Sequence, residues 1–240
     1  MLPSTLLLAM LSALGEAHAV GSDEVLDRYL YVRESAPAAM QEAPTKVEIE
    51  ASLPRLKKHG IMYGLRLVTG GGRIAYSMLR FTGDNTIKTQ VIARYLSAEI
   101  ERGSGGGNLA ISPVNYRFRY KGTADYAGRD AVVYRVAPKR KAVGLFKGEL
   151  WLDSETAMPL REWGDLSKSP SIFVKRIRFV RDYVVAGDKT ELRRLILTAR
   201  ALLVGEVDMT VWFGEDLPGE RQSGEGQPSV GCCASLGALR

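Results

Sequence analysis

Between Tyr116 and Asp165 the chain reads YRFRYKGTADYAGRDAVVYRVAPKRKAVGLFKGELWLDSETAMPLREWGD, a set of short alternating runs, each closed by turn residues. Val132, Tyr134 and Val136 alternate with Val133 and Arg135, the period of two that gives a strand one buried face. Pro138 has no N–H to offer a ladder, so that strand stops there. The basic loop Lys139-Arg140-Lys141 leads into a second run, where Phe146, Leu150 and Leu152 share one face and Lys147 and Glu149 the other. Asp153-Ser154-Glu155-Thr156 is turn chemistry, because Asp and Ser side chains bond the backbone of a reversal. Met158 to Gly164 returns as the next strand. This pattern is an antiparallel meander, and it sets the fold class as mainly β.

The flanks extend it. Asp23 is placed to cap a short helix, Glu24 to Glu34, with Leu26, Tyr29, Leu30 and Arg33 at helical spacing. Val47, Ile49, Ala51 and Leu53 alternate as a first strand that Pro54 ends, and Ile61, Tyr63, Leu65 and Leu67 form a second. Gly70-Gly71-Gly72 marks a tight reversal into a third strand, Ile74 to Phe81. Across Asn85 to Glu101 the alternation of Ile87, Thr89, Val91, Ala93 and Tyr95 predicts a strand, although VIARYLSAEIE also suits a helix. Gly103 to Gly107 reads as a loop. Phe173, Ile177, Phe179 and Tyr183 share one face of a later strand whose other face carries Arg176 and Arg178. Two more follow, one through Leu195, Leu197 and Ala199 and one through Val207, Met209, Val211 and Phe213. From Gly214 the chain turns to Gly, Pro, Ser, Glu and Gln, the composition of a disordered tail. The sum is one sheet of roughly nine to eleven strands, and a sheet of that width curls.

The N-terminus predicts export. Leu6 to Leu14 is apolar and Ala17-His18-Ala19 is an A-x-A cleavage pattern, so residues 1–19 read as a secretory signal peptide. The formal charge is +6, and losing Glu16 with that segment makes the mature protein one unit more positive. A basic exported protein suits anionic surfaces or acidic partners, and equally suits a sheet kept soluble by Lys and Arg. Cys232 and Cys233 are adjacent, a spacing that neither staples a domain nor builds a zinc site.

Catalytic motifs are missing. The mature chain has one histidine, His59, in a Lys57-Lys58-His59-Gly60 turn. There is no G-x-S-x-G elbow and no H-E-x-x-H. Asp153 and Glu155 sit in a hairpin, where turn chemistry explains them. The sequence therefore predicts neither an enzyme nor a cofactor. Tyr116 to Lys121 interleaves aromatic and basic residues, which could stack bases. It reads instead as a strand with an aromatic core face, and export argues against nucleic acid.

A signal segment, an N-terminal helix and a long antiparallel sheet precede one more specific feature. Pro138-Lys139 comes before a W-L-D-x-x-T-x-x-P hairpin, Trp151 to Pro159. In this the chain resembles the outer-membrane lipoprotein-sorting carriers (LolA/LolB-like). The order of elements matches over about 44–213, and the specific motif over 138–160. The resemblance implies a single curved sheet forming an incomplete half-barrel, lidded by a short N-terminal helix, over residues 20–217, with a tail at 218–240. It implies a monomeric periplasmic carrier that holds the acyl chains of a lipid or lipoprotein in an apolar concave cavity. Ile61, Tyr63, Leu65, Ile74, Tyr76, Met78, Phe146, Leu150, Phe173, Ile177 and Phe179 are the expected lining. The second expectation is an envelope-stress sensing or interaction module. It would bind a protein or an anionic glycolipid through a basic face of Arg66, Lys139, Arg140, Lys141, Arg176 and Arg178.

Overall fold

Ten strands form one antiparallel sheet that does not close on itself, as the alternation predicts. The structure is a computed structural model and describes residues 13–35, 43–69, 72–104, 109–170, 174–187, 189–202, 204–215 and 217–219. Most of the expected signal segment, Gly70-Gly71, residues 105–108, Phe173 and the tail with Cys232 and Cys233 lie outside them.

The strands are β1 (Thr45–Leu53), β2 (Lys58–Thr69), β3 (Arg73–Gly83), β4 (Tyr116–Tyr126) and β5 (Arg129–Pro138). They continue as β6 (Phe146–Asp153), β7 (Pro159–Leu166), β8 (Val174–Ala186), β9 (Lys189–Ala201) and β10 (Gly205–Phe213). Their order in the sheet is β3-β2-β1-β10-β9-β8-β7-β6-β5-β4, so β1 lies against β10 while β3 and β4 are the edges.

The segment expected as a strand over Asn85–Glu101 is helical. Ile87–Ile92 is π-helical and runs straight into α2, Ala93–Ser104. Ile87, Ile92, Leu96 and Glu99 are the side chains it buries, a helical spacing rather than an alternating one. Ile87 and Ile92 are five apart, and the i→i+5 bonding of a π turn lets both face the sheet. Asp84 fixes the start: its Oδ1 accepts from the Thr86 N–H at 2.7 Å and from Lys58 Nζ at 3.3 Å. The N-terminal helix, α1, is also longer than expected. It spans Ala13–Ser35, so Asp23 lies inside it and caps nothing.

Pairing register defines an inner face. Val47, Ile49 and Ala51 on β1 stand opposite Phe213, Val211 and Met209 on β10. Val211 and Met209 stand opposite Leu195 and Leu197, and Leu197 opposite Phe179. On the other half Phe146, Leu150 and Leu152 face Val132, Tyr134 and the rings of β4. Val47, Ile49, Val136, Leu150, Leu152 and Val211 have no solvent exposure. Each such side chain contributes ~1.5–3 kcal/mol on leaving water, so this face holds the fold. Tyr116 and Phe146 pack ring to ring at 5.6 Å, the aromatic core face expected of β4. The helices cover that face. α1 is tied down where the Tyr134 hydroxyl donates to the Ser22 carbonyl and Arg28 Nη1 donates to the Glu155 carbonyl at 2.6 Å.

The W-L-D-x-x-T-x-x-P hairpin is built as its residues predict. Asp153 Oδ1 accepts from the backbone N–H of Glu155 (3.0 Å) and of Thr156 (2.8 Å), and Oδ2 accepts from Arg129 (2.9 Å). Burial pushes the Asp153 carboxyl up, but the Thr156 and Arg129 bonds outweigh it and hold the pKa below the usual value. A depressed folded-state pKa stabilises the fold above the unfolded value of about 3.9. That contribution disappears as pH falls through the folded pKa. Asp153→Asn should therefore lower stability at pH 7 and flatten the loss of stability below about pH 4, measured as urea midpoints from pH 7 to pH 3. An unchanged acid limb would show that this hairpin carries no share of it.

Candidate functional site: a cleft between the helices

Ile74 on β3 and Tyr183 on β8 are five strand spacings apart, about 24 Å across a flat sheet. They nevertheless line one cavity of about 270 Å³, so the sheet curls around it. α2 lends Tyr95, Glu99 and Arg102 to the wall, and β2, β8 and β9 supply Arg66, Arg181, Leu192 and Leu195. α1 gives no residue to the wall but comes near it. Its Tyr29 and Arg33, joined by a 2.9 Å hydrogen bond, lie within electrostatic reach of Glu162, and Arg33 also of Tyr183. The cleft thus lies between α2 and the curled sheet, with the C-terminal part of α1 near its Tyr183.

Its chemistry is mixed. Arg181 Nη1 and Glu162 Oε2 form an ion pair at 2.9 Å, with Arg181 also 4.9 Å above the Phe179 ring. Glu99 pairs with Arg102. Burial raises the Tyr29 pKa to about 12, and burial first, then the Glu162 charge, raises that of Tyr183. Burial likewise lifts Tyr76 to about 12 and Tyr95 well above its usual value, with Glu99 adding to both. Every phenol around the cleft with a resolved shift is therefore protonated at neutral pH. A second depression, of about 310 Å³, is larger. Its walls are Lys175, Arg200, Glu206 and the Gly205 turn at the ends of three strands, whereas buried polar groups converge in the cleft.

The structure divides the sequence-predicted lining. Ile74, Tyr76, Phe146, Leu150, Ile177 and Phe179 lie on the inner face by register. Of these Ile74 lines the cleft, whereas Phe146, Leu150 and Phe179 are buried core. Ile61, Tyr63 and Leu65 are opposite Glu50, Glu48 and Lys46 of β1, which places them on the outer face. The inner positions of β2 are Gly60, Met62, Gly64, Arg66 and Val68. Tyr63 is instead packed by the C-terminal segment, where the Gly219 N–H donates to Glu48 at 2.9 Å and Leu217 is buried. Met78 sits in the irregularity of β3 with φ 53° and is 70% exposed. Phe173 is outside the described residues.

The expected basic face is paired only in part. Arg176 grips Asp165 with two bonds, 2.8 and 2.6 Å, and Arg178 lies 3.4 Å from the same carboxylate. Lys139 donates to the Pro113 carbonyl, while Arg140 and Lys141 are exposed. Arg66 belongs to the cleft, not to that face. His59 is not in a turn but on β2, 3.0 Å from Glu50.

The residues that define the cleft were legible in one way. Arg181 stands in phase with Ile177, Phe179 and Tyr183, and Glu162 in phase with Leu160 and Gly164. A charge in the apolar phase of a strand must find a partner or line a cavity.

No family model matches the sequence, and no curated protein matches it. Solved structures do. A LolA-superfamily protein from Nitrosomonas europaea matches at 13% identity over 83% of this chain and 96% of that one, with a TM-score of 0.38. A putative outer-membrane lipoprotein-sorting protein domain from Vibrio parahaemolyticus matches at 12% identity over 88% and 97%, TM-score 0.36. The MucA/MucB complex of Pseudomonas aeruginosa matches at 13% identity over 85% and 96%, TM-score 0.25. At such scores the likeness says nothing of ligand or partner. Among the described residues no helix is long and apolar enough to cross a membrane.

Proposed function

We propose that the protein is a periplasmic carrier that holds the acyl portion of a lipid or lipoprotein against the inner face of the sheet. The observation that carries this reading is an unclosed, apolar-faced sheet over which α1 and the α2 segment lie, with a cavity walled by α2 and by β2, β3, β8 and β9. At about 270 Å³ the resting cavity lies just under the ~300–1,000 Å³ of small-molecule sites, so cargo enters as a cover moves aside. Among the described side chains α1 seats Val25 and Tyr29 fully where the α2 segment seats Ile87, Ile92 and Leu96, and α1 is taken as the cover that moves. Burying about ten methylenes gives ~8 kcal/mol, the free energy of a ~1 μM complex before the cost of displacing a helix.

Native mass spectrometry of the protein purified from a periplasm tests this. A stoichiometric adduct that extracts as an acyl lipid is expected. A clean apo mass, with no uptake of added phospholipid or acylated peptide, would overturn the carrier reading. Leu192→Gln, on the cleft wall, should cut uptake at least tenfold while leaving the thermal midpoint nearly unchanged. Uptake at the wild-type level would place the acyl chain elsewhere.

A further inference from the structure

Arg66 and Tyr95 on the cleft wall, with Tyr76 opposite Arg66 on β3, carry donors that are poorly satisfied. Arg66 Nε and the hydroxyls of Tyr76 and Tyr95 are buried, and none completes a hydrogen bond of normal geometry. Arg66 and Tyr95 both lie within loose hydrogen-bonding reach of the Tyr76 hydroxyl and oppose the rise that burial causes, so the three groups are neighbours sharing one weak acceptor. Buried polar groups are almost always well paired, and three that share only loose contacts leave room for a better acceptor. The other cleft cations are already matched, Arg102 by Glu99 and Arg181 by Glu162. Arg66 forms no ion pair among the described residues and lies 5.8 Å from the Phe213 ring centre. A guanidinium can only donate, and the two phenols stay protonated and can donate as well.

We propose that Arg66, Tyr76 and Tyr95 form an anion-binding subsite that takes the phosphate or carboxylate of the cargo's head group. This deepens the carrier reading and rests on it. Such a group supplies the acceptors that the three donors lack, and a charge-assisted contact to Arg66 is of the stronger kind. The size agrees, since the resting cavity suits a head group and the first carbons of a chain rather than a whole acyl tail. Glu99 stands close by and its charge is felt at both phenols, but it is paired with Arg102, which leaves Arg66 as the cleft cation with no carboxylate partner among the described residues.

The test compares three single-chain lipids by titration on the full-length chain: lysophosphatidate, oleate and uncharged monoolein, with inorganic phosphate alone as a fourth probe. The two anionic lipids should bind at least tenfold more tightly than monoolein. Arg66→Met should erase that difference while leaving monoolein affinity as it was, and Arg66→Lys should restore part of it. Should Arg66→Met fold poorly, the pair Tyr76→Phe and Tyr95→Phe serves instead. Removing two orphan hydroxyls should raise the thermal midpoint of the free protein and weaken the anionic lipids. Equal affinity for charged and neutral lipids, or a difference that survives both variants, overturns the subsite. If phosphate stabilises the wild type but not Arg66→Met and no lipid binds, the subsite stands with free phosphate as its ligand and the carrier reading falls. If neither lipid nor phosphate binds, both fall.

Discussion

Replacing Glu162 with alanine should destabilise the protein by about 3 kcal/mol, read as a lowered urea midpoint at constant slope. Glu162 keeps 3% of its side-chain surface and holds Arg181 at 2.9 Å. Burial opposes the charge on Arg181, and Glu162 and Tyr183 overcome that opposition to raise its pKa. Removing the carboxylate strands a cation against Phe179 and two phenols. Breaking a buried pair costs ~3–5 kcal/mol, and the lower end applies because Arg181 retains 30% of its side-chain surface and can reach some water. Removing both charges is different. The double variant Glu162→Leu with Arg181→Leu leaves no orphan and should recover most of the loss. A single variant costing less than ~1 kcal/mol would mean that Arg181 is solvated without its partner.

Gly148→Val should be as damaging through shape alone. Gly148 and Gly164 stand directly opposite each other where β6 meets β7. A Cβ on Gly148 would lie 1.8 Å from the Trp163 carbonyl oxygen, and one on Gly164 would lie 2.5 Å from that of Lys147. The rings of Phe146 and Phe179 meet edge to face at 4.9 Å above this pair, so the space is already filled. Overpacking costs ~1–3 kcal/mol where side chains can shift, and here the obstacle is backbone, so at least ~3 kcal/mol is expected. For a chain of this size that is a fall of roughly 6–12 °C in thermal midpoint. Gly21 gives the contrast. It lies in α1 with nothing within 4 Å of its Cβ position, so Gly21→Ala should stabilise by up to ~1 kcal/mol. Equal midpoints for Gly148→Val and wild type would show that the two strands can part freely.

The strands of the meander could be read from the chain because each has one wet and one dry face, and Val132, Tyr134 and Val136 write that difference in every second residue. Where the reading failed, alternation was present but meant something else. Along β2 the apolar phase of Ile61, Tyr63 and Leu65 is the outer one, half-covered by the C-terminal segment at Gly219. The inner phase holds glycines, since a Cβ on Gly60 would meet Phe81 and Ile87. Period-2 patterning gives the two faces but not which of them turns inward. In the 85–104 segment the alternation is incidental. Asp84 followed by Thr86, with no glycine or proline until Gly103, was the helix signal that the alternation hid. The cleft itself was invisible, because Arg66, Glu99 and Arg181 come together only when a sheet of known order curls.

That order also sets how the protein yields to force. Val47 at the start of β1 faces Phe213 at the end of β10, so the chain enters and leaves this ladder at the same end. Tension between the two ends would load one pair of hydrogen bonds at a time and unzip the seam, because antiparallel bonds run across the strands. The same pair is 166 residues apart in sequence, so the seam closes a long loop and should zip up late, after β4 to β10 have paired locally. Stretched in an optical trap, the protein should open at low force. The first unit released would be β1 to β3 with α2, one whole wall of the cleft.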